Sequence, residues 1–155
     1  MDTRALFASK LAQQAFFEEN NIPAPRRFPE GCEPYIVRPD RGAGGIGICS
    51  VDDYCEAGGA VNAGFLVQEE LEGPVYLKTA EQTDGGVTLG PTRRLARGVR
   101  YARGAESVSD LNDVEEEALA APVRRLAELL APTERIEVKL LRHDGRFYVL
   151  SVDEG

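Results

Sequence analysis

From Gly42 to Gly47 the chain reads Gly-Ala-Gly-Gly-Ile-Gly. Glycines at this spacing can turn several backbone N–H groups toward one anion, because glycine accepts positive φ and leaves no side chain in the way. The run fits G-x-G-x-x-G, whose dinucleotide-binding version needs a strand before it and a helix after it. Here Tyr35-Ile36-Val37-Arg38 reads as a strand before the loop, and Ile46–Val51 reads as a second strand after it. The Rossmann arrangement therefore fails on context. A Walker A loop fails as well, since no Gly-Lys-Ser/Thr is present. A glycine loop between two strands can instead fold down over phosphates as a flap. Protein kinases use such a flap, but 155 residues are too few for a kinase. Arg142-His143-Asp144 has the kinase triplet in scrambled order, and no Asp-Phe-Gly follows. Two readings stay open on this segment alone: a phosphate flap and an ordinary glycine-rich hairpin.

Other reactive groups are sparse. Cys32, Cys49 and Cys55 are odd in number and irregular in spacing, and the chain has 1 His. That argues against a disulfide framework or a zinc site and for reduced, cytoplasmic thiols. Basic residues gather at Arg93, Arg94, Arg97, Arg100 and Arg103, but the net charge is −8. A nucleic-acid partner is not expected on that balance, whereas a small anion held by local cations is compatible with it. The longest apolar runs are strand-sized, so no membrane span is expected. Met1-Asp2-Thr3-Arg4 leads into an amphipathic segment, and no signal peptide is seen.

The elements that must position the loop follow from periodicity. Leu6, Phe7, Leu11, Ala15 and Phe16 predict a helix over Thr3–Glu19, ended by Asn20-Asn21. Ile22-Pro23-Ala24-Pro25 is an extended linker. Asp52-Asp53 can cap a short helix. Strands are expected at Gly64–Glu70, Val75–Thr83 and Val87–Leu89, with Asp84-Gly85-Gly86 as a hairpin turn. Thr92–Arg103 fits strand or irregular structure equally. Val114, Ala118, Leu119, Val123, Leu126 and Leu130 predict a helix over Asp113–Leu130, with Asp113 as its N-cap. Arg135–Val152 reads as a hairpin turning at Asp144-Gly145. The expected class is α+β, with largely antiparallel sheet and flanking helices.

Several segments then combine in order: Ser9-Lys10, Asn21–Pro25, Tyr35–Gly47, Val67-Gln68-Glu69-Glu70-Leu71-Glu72-Gly73-Pro74 and Tyr148–Asp153. Together they resemble the ATP-grasp family over essentially the whole chain. Within it the chain is similar to carboxylate–amine ligases such as the lysine–methylornithine ligase of pyrrolysine synthesis. The resemblance implies an ATP-grasp-type domain of two parts. Residues 1–62 would hold the helix and glycine flap, and 63–155 the hinge and C-terminal sheet. The family's usual N-terminal domain is missing from these residues, leaving apolar surface that a homodimer would cover.

The resemblance also implies roles. Lys10 and Arg38 would contact nucleotide phosphate. Gly42, Gly44, Gly45 and Gly47 would form the flap. Gln68, Glu69 and Leu71 would form the hinge that holds adenine, through backbone groups at Glu69 and Leu71 and the side-chain oxygen of Gln68. Magnesium would sit on Glu137 and Asp153. The cofactors implied are ATP and Mg2+, and the substrates a carboxylate, activated as an acyl phosphate, and an amine. Departures are visible too. Arg38 stands where relatives carry lysine, Val75 where many place a ribose-binding carboxylate, Ser151 where they carry a metal carboxylate, and Gly155 where they carry arginine. These motivate an alternative, a degenerate, inactive domain acting as a binding or regulatory module. Without the family pattern, Lys10 reads as an exposed helix lysine and Asp153-Glu154 as a charged end.

Overall fold

A computed structural model describes residues 3–31, 33–41, 49–51, 54–95, 110–130 and 135–155. The flap glycines Gly42, Gly44, Gly45 and Gly47 lie outside them. The elements run α1 (Thr3–Ala8), α2 (Lys10–Glu19), β1 (Tyr35–Arg38), β2 (Cys49–Val51), α3 (Tyr54–Asn62), β3 (Leu66–Glu69), β4 (Val75–Thr83), β5 (Gly86–Arg94), α4 (Asp113–Leu129), β6 (Arg135–His143) and β7 (Arg146–Glu154). They build two antiparallel sheets, one ordered β2-β1-β3 and one ordered β5-β4-β6-β7. The α+β expectation holds.

The single N-terminal helix does not. Ser9 takes an extended backbone (φ −127, ψ 118) and its side chain accepts from Ala12 N, so α2 starts afresh there. A serine hydroxyl offers the backbone an alternative to continuing the helix, and it caps well. Asn21 closes α2 in the left-handed region (φ 55), which asparagine tolerates better than most residues. At α4 the N-cap is Asn112 rather than Asp113. Asn112 and Glu115 form a reciprocal capping box, and Asp113, Glu115 and Glu116 place negative charge in the first turn. Strand β5 continues through Pro91 to Arg94, beyond the expected Val87–Leu89. Being an edge strand, β5 can spare the donor that proline lacks.

Two hydrophobic clusters form. The larger joins Leu6, Phe16, Phe17 and Ile22 to Tyr76, Leu119, Leu126, Val138, Leu140 and Val149. The smaller holds Tyr35, Val37, Ala57 and Val67. Residues of α1 and α2 join the core of the four-stranded sheet, and among the described residues the three-stranded sheet and α3 share the second cluster. Phe16 and Phe17 join a core to which α4 and the large sheet also contribute, which sequence neighbourhood alone does not reveal.

Buried amides tie the two parts together. Gln13 Oε1 accepts from Val152 N on β7 at 3.0 Å. Next to it, Gln14 Oε1 accepts from Gln68 Nε2 on β3 at 2.7 Å. Consecutive residues of one helix thus reach different sheets. The connection from β3 to β4 is also pinned. Arg142 N donates to Pro74 O at 2.9 Å, and His143 Nδ1 lies 2.8 Å from Glu72 O. Gly73 makes this approach possible, since a Cβ there would lie 1.7 Å from Arg142 O.

Candidate functional site

Strand alternation sorts β6 into two faces. Ile136, Val138 and Leu140 point into the large core, so Glu137 and Lys139 point to the other side. On β7, Asp153 pairs in register with Glu137, and Ser151 with Lys139. The next pair is Leu140 with Val149, so Leu150 is an extra residue on β7. A bulge of this kind leaves one residue out of the ladder. Its carbonyl is used: Arg38 Nη1 donates to Leu150 O at 3.0 Å and to Gln68 Oε1 at 3.2 Å. Arg38 belongs to β1, so the bulge is where the small sheet meets the polar face of the large one.

Lys10 arrives from a third direction. Its N–H donates to Asp40 O at 2.9 Å, two residues beyond the end of β1. The Asp40 carboxylate accepts from Ser9 Oγ at 2.6 Å and from Leu11 N at 3.0 Å. The start of α2 is thereby fastened to the end of β1. Burial pushes the Asp40 carboxyl up, but the bonds from Ser9 and Leu11, with the charge of Arg41, outweigh it and hold it below 3.8.

The charges of this face act on one another. Burial lowers the Lys10 ammonium, Asp153 opposes that, and Arg38 adds to it. Burial draws Arg38 down to about 10 against the attraction of Asp153, which leaves it protonated at neutral pH. Burial also lowers Lys139, followed by repulsion from Arg38 and Lys10, while Asp153 and Glu137 pull it back. Lys10, Arg38, Lys139, Glu137 and Asp153 therefore form one electrostatic group. Arg93, opposite Leu77 on β5, adds a cation that bonds Glu137 Oε2 at 3.0 Å. Cations outnumber carboxylates on this face although the chain carries −8 overall. Such a face attracts a multiply charged anion.

Of the residues singled out in the sequence, Lys10, Arg38, Glu137 and Asp153 come together. Gln68 sits beside them but is 1 % exposed, and both ends of its amide are engaged, by Arg38 and Gln14. Its side chain braces the fold rather than facing a base. Glu69 is similar: its carboxylate takes Arg26 N at 2.9 Å, and its own N–H goes to Arg26 O at 2.9 Å. Among the expected adenine-holding groups this leaves the Glu69 carbonyl and the backbone of the partly exposed Leu71, where the chain leaves β3. Lys139, Arg93 and the Ser9–Asp40 clasp carry no role in the sequence reading. The alternation of β6 does place Lys139 beside Glu137, which is the signal that finds it.

Among the described residues, one pair of facing carboxylates has the chemistry to hold a magnesium ion. Magnesium is commonly held by one or two carboxylates plus phosphate oxygens. Glu137 and Asp153, opposed on neighbouring strands, meet that description for a single ion. Among the described residues no group of three His, Cys, Asp or Glu could hold a metal by itself. No helix among them is long and apolar enough to cross a membrane.

No known protein-family model and no curated protein sequence matches this chain. Solved structures do. The L-amino acid ligase of Bacillus licheniformis superposes with a TM-score of 0.76 at 19% identity over 96% of this chain and 40% of its own. The D-alanine–D-alanine ligase of Bacillus anthracis complexed with ATP gives 0.72 at 15% identity over 96% and 55%. The ADP complex of an N5-carboxyaminoimidazole ribonucleotide synthetase gives 0.78 at 13% identity over 96% and 45%. The chain thus spans about half the length of these ligases, and its fold is the ATP-grasp fold.

Proposed function

We propose that this chain is the Mg-ATP-binding domain of a carboxylate–amine ligase of the ATP-grasp family, working in the cytoplasm by way of an acyl phosphate. The observation that carries the reading is the convergence of Lys10, Arg38 and Lys139 on one polar face beside the Glu137–Asp153 pair. The fold shared with ligases crystallised with ATP and ADP supports it. The cations would bind and orient the phosphates, the carbonyl of Glu69 and the backbone of Leu71 would hold adenine, and Gly42, Gly44, Gly45 and Gly47 would cover the phosphates. When bound, magnesium neutralises phosphate charge. Glu137 and Asp153 are the residues that would hold it. Positioning and charge neutralisation are the means by which such a site accelerates transfer to a carboxylate.

Isothermal calorimetry of the chain with ATP and magnesium should give saturable binding. Absence of both heat and thermal stabilisation at millimolar ATP would refute the reading. A second reading, a nucleotide-binding module without ligase activity, is favoured by one observation. Ser151, 2 % exposed and opposite Lys139, brings a hydroxyl rather than a carboxylate to the centre of the face. ADP release across a panel of amino acids separates the two: a blank with intact ATP binding selects the module.

A further inference from the structure

The two strands at the floor of the site alternate in charge. The Glu137–Asp153 pair offers two carboxylates, and the next same-face pair, Lys139–Ser151, offers an ammonium and a buried hydroxyl. A divalent ion needs hard oxygen donors and is repelled by fixed cations. At the first pair one ion can sit. At the second, Lys139 already supplies a positive charge, and the Arg38 guanidinium is anchored close by on Leu150 O, the residue next to Ser151. Glu137 is itself shared with Arg93, which reduces its capacity to bridge two metals. We infer that the site takes a single divalent ion, and that the Lys139 ammonium stands where a second would otherwise neutralise the phosphates, making Lys139 a phosphate-binding residue. This rests on the nucleotide reading above and goes beyond it in the number of ions and in the role of Lys139.

The geometry of Lys139 favours this over a structural role. It lies on the face turned away from the hydrophobic core, and its partner across β7 is a neutral serine. Its partner across β4 is Leu77, an apolar side chain that offers no acceptor. Lys78, by contrast, is a buried lysine with a structural task. Its ammonium donates to Gly90 O at 2.9 Å, Thr92 Oγ1 at 3.0 Å and Glu116 Oε1 at 3.0 Å.

The test uses the full chain with a non-hydrolysable ATP analogue and Mn2+. Manganese bound in the complex is counted by electron paramagnetic resonance, and analogue affinity is measured for wild type, Lys139→Met and Lys139→Arg. The expected result is one Mn2+ per complex, a loss of about tenfold or more in Lys139→Met, as for a charged hydrogen bond, and recovery to within about threefold in Lys139→Arg. Two Mn2+ per complex would overturn the inference, as would Lys139→Met binding like wild type. Either result leaves nucleotide binding itself standing. No binding of the analogue to wild type would overturn both that reading and this one. Should Lys139→Met fail to fold by circular dichroism, the ion count and Lys139→Gln decide the question in the same terms.

Discussion

At the scale of single residues, the site depends on side chains that fasten one element to another. Asp40 is the clearest case, because one carboxylate oxygen serves both Ser9 Oγ and Leu11 N at the start of α2. Asp40→Ala should lower stability by about 1 kcal/mol, the usual worth of a helix-terminal cap, as measured by denaturant unfolding. The Asp40 carboxyl is held below its ordinary 3.8 in the folded chain. Its contribution is therefore complete above that value and is lost as pH falls through the lower folded value. The gap between wild type and Asp40→Ala should be constant near neutral pH and close in acid; a gap that widens in acid would contradict the assignment. Motif order points to Lys10, Arg38 and Asp153, whose charges act on one another in the structure. Strand alternation adds Lys139 beside Glu137, but it does not show that Arg93 on β5 reaches Glu137 from the far side of β4. Gln68 misleads for the opposite reason. Its place in the hinge motif is readable, but its amide is captured by Arg38 and by Gln14, which lies 54 residues away.

At the scale of elements, strands and the long helix are readable from periodicity, and their ends are not. The break between α1 and α2 depends on Asp40, far along the chain, so local spacing predicts one helix. The extension of β5 to Arg94 depends on β4 lying beside it, with Leu77 opposite Arg93. The connection between the sheets is governed by contact with the β6–β7 hairpin. A Cβ on Gly73 would meet the backbone oxygen of Arg142 at 1.7 Å, and backbone cannot step aside as a side chain can. Gly73→Ala should cost about 1–3 kcal/mol, the usual range for overpacking, and should weaken ATP binding by displacing Leu71. Unchanged stability and affinity would show that the segment is free of that hairpin. Gly145, with open space around it, is the matched control for loss of a left-handed glycine (φ 76) without a clash.

At the scale of the molecule, two cores of unequal size share a polar seam. Among the described residues the small sheet has three strands and a cluster smaller than that of the large sheet. It is held by Gln14, Gln68 and Arg38, which reach across to α2 and β7. Native-state hydrogen exchange should therefore report opening of β1 and β3 at lower free energy than β4, β6 and β7. Equal protection in both sheets would show instead that the seam makes them one cooperative unit. The antiparallel strands are readable from the sequence, but the pairing of β3 with β1 in a separate sheet is not. Nor is the allegiance of α1 and α2 to the larger sheet, because it rests on contacts with residues more than a hundred positions later, such as Val149.

The bond from Arg38 to the Leu150 carbonyl spans 112 residues, and that from Val152 N to Gln13 spans 139. Contacts between such distant points form slowly, since a long loop must close before they repay its entropy. A chain still lacking β7 has Lys10 and Arg38 but neither Asp153 nor the bulge that anchors the guanidinium. The face that gathers Lys10, Arg38 and Asp153 therefore cannot form before β7 is made. Capture of a ligand at this seam would thus certify that β1 and β7 have met, and a chain clipped between them would be invisible to it.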